Sequence, residues 1–165
     1  GLPAYLPATP MGIMQMLERY HIDISGKTCC VIGRSNIVGT PISILLSRNG
    51  SPGDATVMLC HSRTPDIKEI ALQADVLVVA LGRPNFLKAD MVKEGAVVID
   101  VGINRVDDPT KKSGFRLVGD VDYEQVAPKS SYITPVPGGV GPMTVTSLLL
   151  NTWKAYSGEI YPKTK

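Results

Sequence analysis

The residues best suited to chemistry sit in short turns that follow apolar runs. The first is Gly33-Arg34-Ser35-Asn36-Ile37-Val38-Gly39, directly after the apolar stretch 28–32. A turn between a buried strand and a helix is where an α/β sheet holds a phosphate, because backbone N–H groups and the helix dipole face the anion there. Gly33 allows a sharp change of direction. Gly39 lets the next helix approach the strand, and Ser35 offers a hydroxyl to a pyrophosphate. Ser35 stands where a G-x-G-x-x-G fingerprint has its second glycine, and no Gly-Lys-Ser/Thr follows, so the loop is neither that fingerprint nor a P-loop. An ordinary strand-to-helix turn would use the same two glycines, so this loop alone leaves both readings open.

The second turn sharpens the reading. The apolar run 55–60 ends in Cys60-His61-Ser62-Arg63-Thr64. Enzymes that use NAD place an acidic residue here on the ribose 2′-hydroxyl, whereas NADP enzymes place Arg and small polar residues here for the 2′-phosphate. This turn has no Asp or Glu. It has Ser62 and Arg63, and Arg34 lies in the neighbouring loop. A guanidinium fork suits a phosphate dianion in charge and shape, so the pairing favours NADP over NAD. Taken singly, Arg63 also fits an exposed loop residue.

Two further turns, Leu81-Gly82-Arg83-Pro84 and Gly102-Ile103-Asn104, fall at expected strand ends, where such sheets place ligands. The last motif is Thr134-Pro135-Val136-Pro137-Gly138-Gly139-Val140-Gly141-Pro142-Met143-Thr144. Its prolines and glycines predict a rigid wall, poor in side chains, that a flat ligand approaches closely. Cys60 and His61 are adjacent in a strand, so their side chains point apart and they make no catalytic pair. His21 reads as a helix-end residue. No metal-binding spacing is present.

The elements that must position these turns follow from the apolar pattern. Thr9-Pro10 starts a helix that runs to about Tyr20. A continuous short apolar run predicts a strand buried on both faces at 28–32, and further strands are predicted at 55–60, 76–80 and 96–101. Helices are predicted at 41–46, 67–72 and 88–92, a polar surface hairpin or loop at 107–113, and further short strands at 117–121 and 132–133. A last helix opens at Gly141-Pro142 and runs to about Tyr156. Alternating strands and helices imply right-handed βαβ units. The predicted fold is therefore an α/β, three-layer Rossmann-like domain, with a mostly parallel sheet flanked by helices.

At 165 residues the chain fits one domain, 1–165. Hydrophobic residues make up 44 % and charged residues 19 %, a globular balance, and a net charge of +2 gives no sign of a nucleic-acid partner. The basic pairs Lys111-Lys112 and Lys163/Lys165 read as solvated surface. Three cysteines, two of them adjacent in an apolar run, predict free thiols in a reducing, cytoplasmic setting. No segment predicts a membrane span or signal peptide. The opening Gly1-Leu2-Pro3-Ala4-Tyr5-Leu6-Pro7 predicts an inter-domain linker at 1–8 and hence a fragment of a longer protein.

Taken in order, these segments resemble the methylenetetrahydrofolate dehydrogenase/cyclohydrolase (FolD-type) family. The resemblance is carried by Pro7-Ala8-Thr9-Pro10, Val31-Ile32-Gly33-Arg34-Ser35 through Gly39 and Pro41, Cys60 to Thr64, Val98 to Asn104, Gly119-Asp120-Val121, and Thr134 to Thr144. It implies an enzyme of one-carbon metabolism and purine biosynthesis that oxidises 5,10-methylenetetrahydrofolate with NADP⁺ and hydrolyses the methenyl product to 10-formyltetrahydrofolate. It further implies a homodimer with neither membrane nor nucleic acid as partner.

By the same resemblance, Gly33, Arg34, Ser35, Ser62, Arg63 and Ile103 bind the cofactor. Pro137, Gly138, Gly139, Val140, Gly141 and Pro142 border the folate, and no metal takes part. Ala8 replaces a usual Cys, and the loop 50–54 is longer than usual. The family's catalytic lysine, in a Tyr-x-x-x-Lys motif, belongs to an N-terminal domain. No catalytic residue is therefore expected in the chain, and the chain alone is expected to be inactive. The helix 142–156 is expected to contact that other domain. Two other readings remain: a different NADP-dependent Rossmann dehydrogenase, and a non-catalytic nucleotide-binding module.

Overall fold

A computed structural model of the chain describes residues 3–161. Gly1, Leu2, Lys163 and Lys165, which belong to the expected linker and basic tail, lie outside the described residues. The strands β1 (Thr28–Ile32), β2 (Thr56–Cys60), β3 (Val76–Val79), β4 (Val97–Asp100) and β7 (Tyr132–Ile133) form a parallel sheet in the order β2-β1-β3-β4-β7. Two strands, β5 (Asn104–Asp107) and β6 (Phe115–Val118), pair antiparallel as a separate hairpin.

The central strands are apolar throughout because both faces are covered. Successive side chains of a strand point to opposite faces. Cys29 and Val31 of β1, Val76 and Val78 of β3, and Val97 and Ile99 of β4 enter one core with Ile13, Leu17, Ile42 and Leu46. The last four come from α1 (Ala8–Arg19) and α2 (Gly39–Ser47). The alternate residues Cys30, Ile32, Leu77, Val79 and Val98 enter a second core with Ala71 of α3 (Ile67–Ala71), Leu87 and Val126. The two cores give the three layers read from the sequence.

The long C-terminal helix, α5 (Val140–Ser157), lies against α1. Small and polar groups make that interface. Gly12 brings the α1 backbone against Met143, Thr9 Oγ1 lies 3.0 Å from Thr144 Oγ1, and Ser147 Oγ donates to Gln15 Oε1 at 3.1 Å. The Asn151 side-chain amide donates to the Leu6 carbonyl at 2.8 Å, tying the chain just before α1 to α5.

The polar excursion 107–113 is a hairpin tip, between β5 and β6, in line with the expected surface hairpin or loop. The structure differs from the sequence reading on either side of it. Residues 119–121 are not a strand; only Val121 forms a bridge, to Leu87. The segment 88–92 holds a single 3₁₀ turn at Ala89–Met91, and a short helix, α4 (Tyr123–Val126), was not anticipated. Residues 119–121 are instead drawn onto neighbouring loops by Asp120, whose carboxylate takes the N–H groups of residues 81–83.

Candidate functional site

All the expected cofactor residues lie at the C-terminal ends of the parallel strands. Gly33 has φ +120°, and a Cβ there would overlap the Ala80 carbonyl of the neighbouring strand end. A Cβ on Gly39 would overlap the Gly33 carbonyl. The two glycines therefore form a cradle that admits no side chain, and Gly33 N–H donates to Cys60 O at 2.8 Å, locking the first turn to the end of β2.

The anion-binding groups of this loop differ in detail from the expectation. Ser35 Oγ accepts from Val38 N–H at 3.1 Å and Gly39 N–H at 3.4 Å, and Ser35 O accepts from Thr40 N–H at 3.0 Å. With Pro41 lacking an N–H, the start of α2 is closed upon itself. The backbone N–H groups of Arg34, Ser35, Asn36 and Ile37 have no partner among the described residues, and all four residues are exposed. Successive amides in one loop form a concavity suited to an anion. The donors come from the loop, more than from the helix end. Ser35 Oγ, already accepting, keeps its proton to donate outward.

Beside this loop, β2 leads into a tight turn. Thr64 N–H donates to His61 O at 2.8 Å, His61 N–H donates to Thr64 Oγ1 at 2.9 Å, and Arg63 N–H donates to His61 Nδ1 at 3.2 Å. Ser62 and Arg63 are exposed at its tip. Neither Arg34 nor Arg63 has an ion-pair partner among the described residues. Two unpaired guanidinium groups thus accompany the free amides, with no acidic residue between Cys60 and Pro65.

Sequence reasoning missed the device that holds the remaining turns. Asp120 is fully buried, and its Oδ2 accepts from Leu81 N–H at 2.6 Å and Gly82 N–H at 2.9 Å. Its Oδ1 accepts from Arg83 N–H and from the Asn104 side-chain amide, both at 2.8 Å. Asp100, 3 % exposed, takes Gly102 N–H and Asp120 N–H on Oδ1 and Val121 N–H on Oδ2, each at 2.9 Å. Burial pushes the Asp100 carboxyl up to about 6, against the pull of those three backbone donors. Gly102 and Gly119 are glycines because a Cβ on either would strike one of these carboxylates. Both aspartates lie in stretches that carry the family resemblance, but a buried acceptor leaves no spacing signature to read.

The Pro/Gly wall begins beside the same network. Thr134 Oγ1 accepts from Asp100 N–H at 2.8 Å and donates back to Asp100 O at 3.3 Å. Pro137, Gly138 and Pro142 are exposed, Gly139 and Gly141 are half-buried, and Val140 turns into the core at 4 % exposure. Val140 therefore anchors the wall from behind, presenting almost no surface to a ligand. Ile103 is 63 % exposed beside Gly102.

A cavity of about 390 Å³ lies between the end of α1, β7 and the Pro/Gly wall, lined by Met16, Tyr20, Tyr132, Gly138, Pro142 and Met143. It touches neither Arg34 nor Arg63, so it is separate from the open shelf above the strand ends that carries the expected cofactor residues. Cys60 Sγ faces Cys30 Sγ at 3.7 Å in the interior, with burial pushing both thiols up. His61 turns its ring to the surface turn, so the two neighbours are kept apart, as their alternation in a strand requires. Among the described residues no group of three or more His, Cys, Asp or Glu is placed to hold a metal, and no helix is long and apolar enough to cross a membrane.

A parallel sheet with a glycine cradle, free loop amides and unpaired arginines over its strand ends defines a dinucleotide-binding α/β domain of Rossmann type. The sequence matches the tetrahydrofolate dehydrogenase/cyclohydrolase NAD(P)-binding domain over residues 7–160, and the chain belongs to that family. It is 68 % identical over 155 residues to the bifunctional protein FolD of Cytophaga hutchinsonii, covering 94 % of this chain and 53 % of that protein. The bifunctional FolD methylenetetrahydrofolate dehydrogenase/cyclohydrolase of Campylobacter jejuni superposes with a TM-score of 0.84 at 52 % identity, covering 93 % of this chain and 51 % of that one. The Trypanosoma brucei enzyme, solved with NADP and an inhibitor, gives 0.85 at 43 % identity, covering 94 % and 52 %. The chain thus spans about half the length of the relatives it matches.

Proposed function

We propose that this chain is the NADP-binding half of a bifunctional enzyme of one-carbon metabolism. The whole enzyme oxidises 5,10-methylenetetrahydrofolate with NADP⁺ and hydrolyses the methenyl product to 10-formyltetrahydrofolate, a carbon donor for purine biosynthesis. The observation that carries the cofactor assignment is the pairing of the free amides at 34–37 with unpaired Arg34 and Arg63. Gly33 and Ser35 border the pyrophosphate, Ser62 and Arg63 lie near the 2′-phosphate with Arg34 beside them, and Ile103 contacts the cofactor. When bound, NADP⁺ supplies the hydride acceptor, and this chain's part is to bind and orient it. Pro137, Gly138, Gly139, Gly141 and Pro142 form a smooth border for the folate, with Val140 fixing them.

The acid/base lysine comes from a domain outside this sequence, as the family resemblance implies. The described residues 3–161 are read as one domain, and the expected link to the other is confined to the segment before α1, since Ala8 already belongs to that helix. The exposed apolar stripe of α5 supports a contact with that domain. A homodimer in the cytoplasm is the setting for the enzyme: the family resemblance implies the dimer, and the three free, buried cysteines fit a reducing compartment. Purified chain, titrated calorimetrically with NADP⁺ and NAD⁺, tests the cofactor assignment. Tighter binding of NADP⁺ supports it, and equal affinity for both contradicts it. Measurable oxidation of the folate by this chain alone would contradict the assignment of the lysine to another domain.

A further inference from the structure

We infer that His61 is a positioning residue for cofactor choice: the lone pair of its Nδ1 holds the Ser62–Arg63 tip in the shape that receives a ribose 2′-phosphate. The inference rests on the reading of that tip as the 2′-phosphate site. Three bonds close the turn, and two of them, from Thr64 N–H to His61 O at 2.8 Å and from His61 N–H to Thr64 Oγ1 at 2.9 Å, tie its two ends. Only the third, Arg63 N–H to His61 Nδ1 at 3.2 Å, reaches the tip itself. As an acceptor, Nδ1 carries no proton, so the ring proton lies on Nε2. Arg63 has a long flexible side chain, and its guanidinium is aimed only as well as its backbone is fixed. His61 sits half-buried directly after Cys60, whose carbonyl receives Gly33 N–H, so the backbone at 60–61 joins the pyrophosphate turn to the turn whose tip the imidazole holds. NAD lacks the 2′-phosphate and gains nothing from an ordered tip.

The test uses the chain with His61→Ala, His61→Asn and His61→Gln. Asn places Oδ1 two bonds from Cβ, where Nδ1 stands, whereas Gln places its oxygen nearer Nε2. His61→Ala weakens NADP⁺ by about five- to tenfold, the scale of one lost hydrogen bond, and leaves NAD⁺ within about twofold. His61→Asn restores the wild-type ratio and His61→Gln does not. Amide exchange at Arg63, read without any nucleotide, speeds up by about tenfold in His61→Ala and recovers in His61→Asn. Equal weakening of both nucleotides by His61→Ala overturns the inference, and so does unchanged exchange at Arg63. Rescue by Gln but not Asn also overturns it, in favour of a direct Nε2 contact. Wild-type chain with no preference for NADP⁺ removes the 2′-phosphate reading itself, and the inference with it.

Discussion

At the scale of single residues, backbone geometry limits the site as much as side-chain chemistry does. Gly39 is the sharpest case, since its missing Cβ leaves room for the Gly33 carbonyl. Gly39→Ala is expected to lower stability by about 3 kcal/mol and to abolish nucleotide binding, read by chemical denaturation and calorimetry. A variant as stable as wild type would mean that the loop relaxes and is no cradle. Asp100 gives a pH signature. Its folded carboxyl stands near 6, above the ordinary 3.8, because burial disfavours its charge. The stability it contributes is therefore complete below pH 3.8 and is lost as pH rises through about 6. The stability difference between wild type and Asp100→Asn should fall by roughly 3 kcal/mol from pH 4 to pH 7, since only Asp100 differs between the two curves. A difference that is flat or rises with pH would mean that the three backbone donors outweigh burial.

At the scale of elements, Asp120 gathers turns that three separate strands deliver. Removing its carboxylate leaves the N–H groups of Leu81, Gly82 and Arg83 without that acceptor in a part-buried place. Asp120→Ala is expected to lose about 2–4 kcal/mol, or to show exchange protection lost selectively at residues 81–83. Protection lost evenly across the sheet would argue for a general packing role. This clamp was the least legible part of the sequence. The strands of the sheet were plain, because a run such as Thr-Cys-Cys-Val-Ile is apolar at every position only if both faces are covered. The turns at Gly33 and Ser62 were legible as strand ends, but an ordinary turn would use the same glycines, so their reading as a cofactor site rested on the pairing of Arg34 with Arg63 and on the family resemblance. The hairpin tip was legible as a polar excursion, but strand β5 was not, because Asn104 stands at an inward position where an apolar residue would mark the alternation. Residues 119–121 read as strand on composition, yet the local contest was won by buried carboxylates bonding to backbone. The reading of Ser35 as a donor missed that its oxygen first closes the start of α2.

At the scale of the whole molecule, one surface is left unlike the rest. Val145, Leu148, Leu149, Trp153 and Tyr156 of α5 are each 58 % exposed or more, and their spacing places them along one stripe. The opposite side of the helix, with Val140 and Ser147, is already packed on the molecule. A contiguous apolar stripe of this kind marks a contact surface. The chain is expected to bind a hydrophobic dye more strongly than a typical folded monomer of its size. Leu149→Glu with Trp153→Glu should remove that signal while changing stability by less than about 1 kcal/mol. Loss of the fold in that double variant would show that the stripe is internal packing and no contact surface.

The central claim is that the shelf over the strand ends takes NADP⁺ through Arg34, Arg63 and the free amides between the first turn and α2. Calorimetric titration of the wild-type chain and Arg63→Ala, each with NADP⁺ and with NAD⁺, tests it most directly. The account predicts tighter binding of NADP⁺ by the wild type. It also predicts a loss of about tenfold or more for NADP⁺ in Arg63→Ala, the scale of a charge-assisted bond, with NAD⁺ unchanged. Binding of NADP⁺ that is indifferent to Arg63, or no tighter than that of NAD⁺, would contradict it.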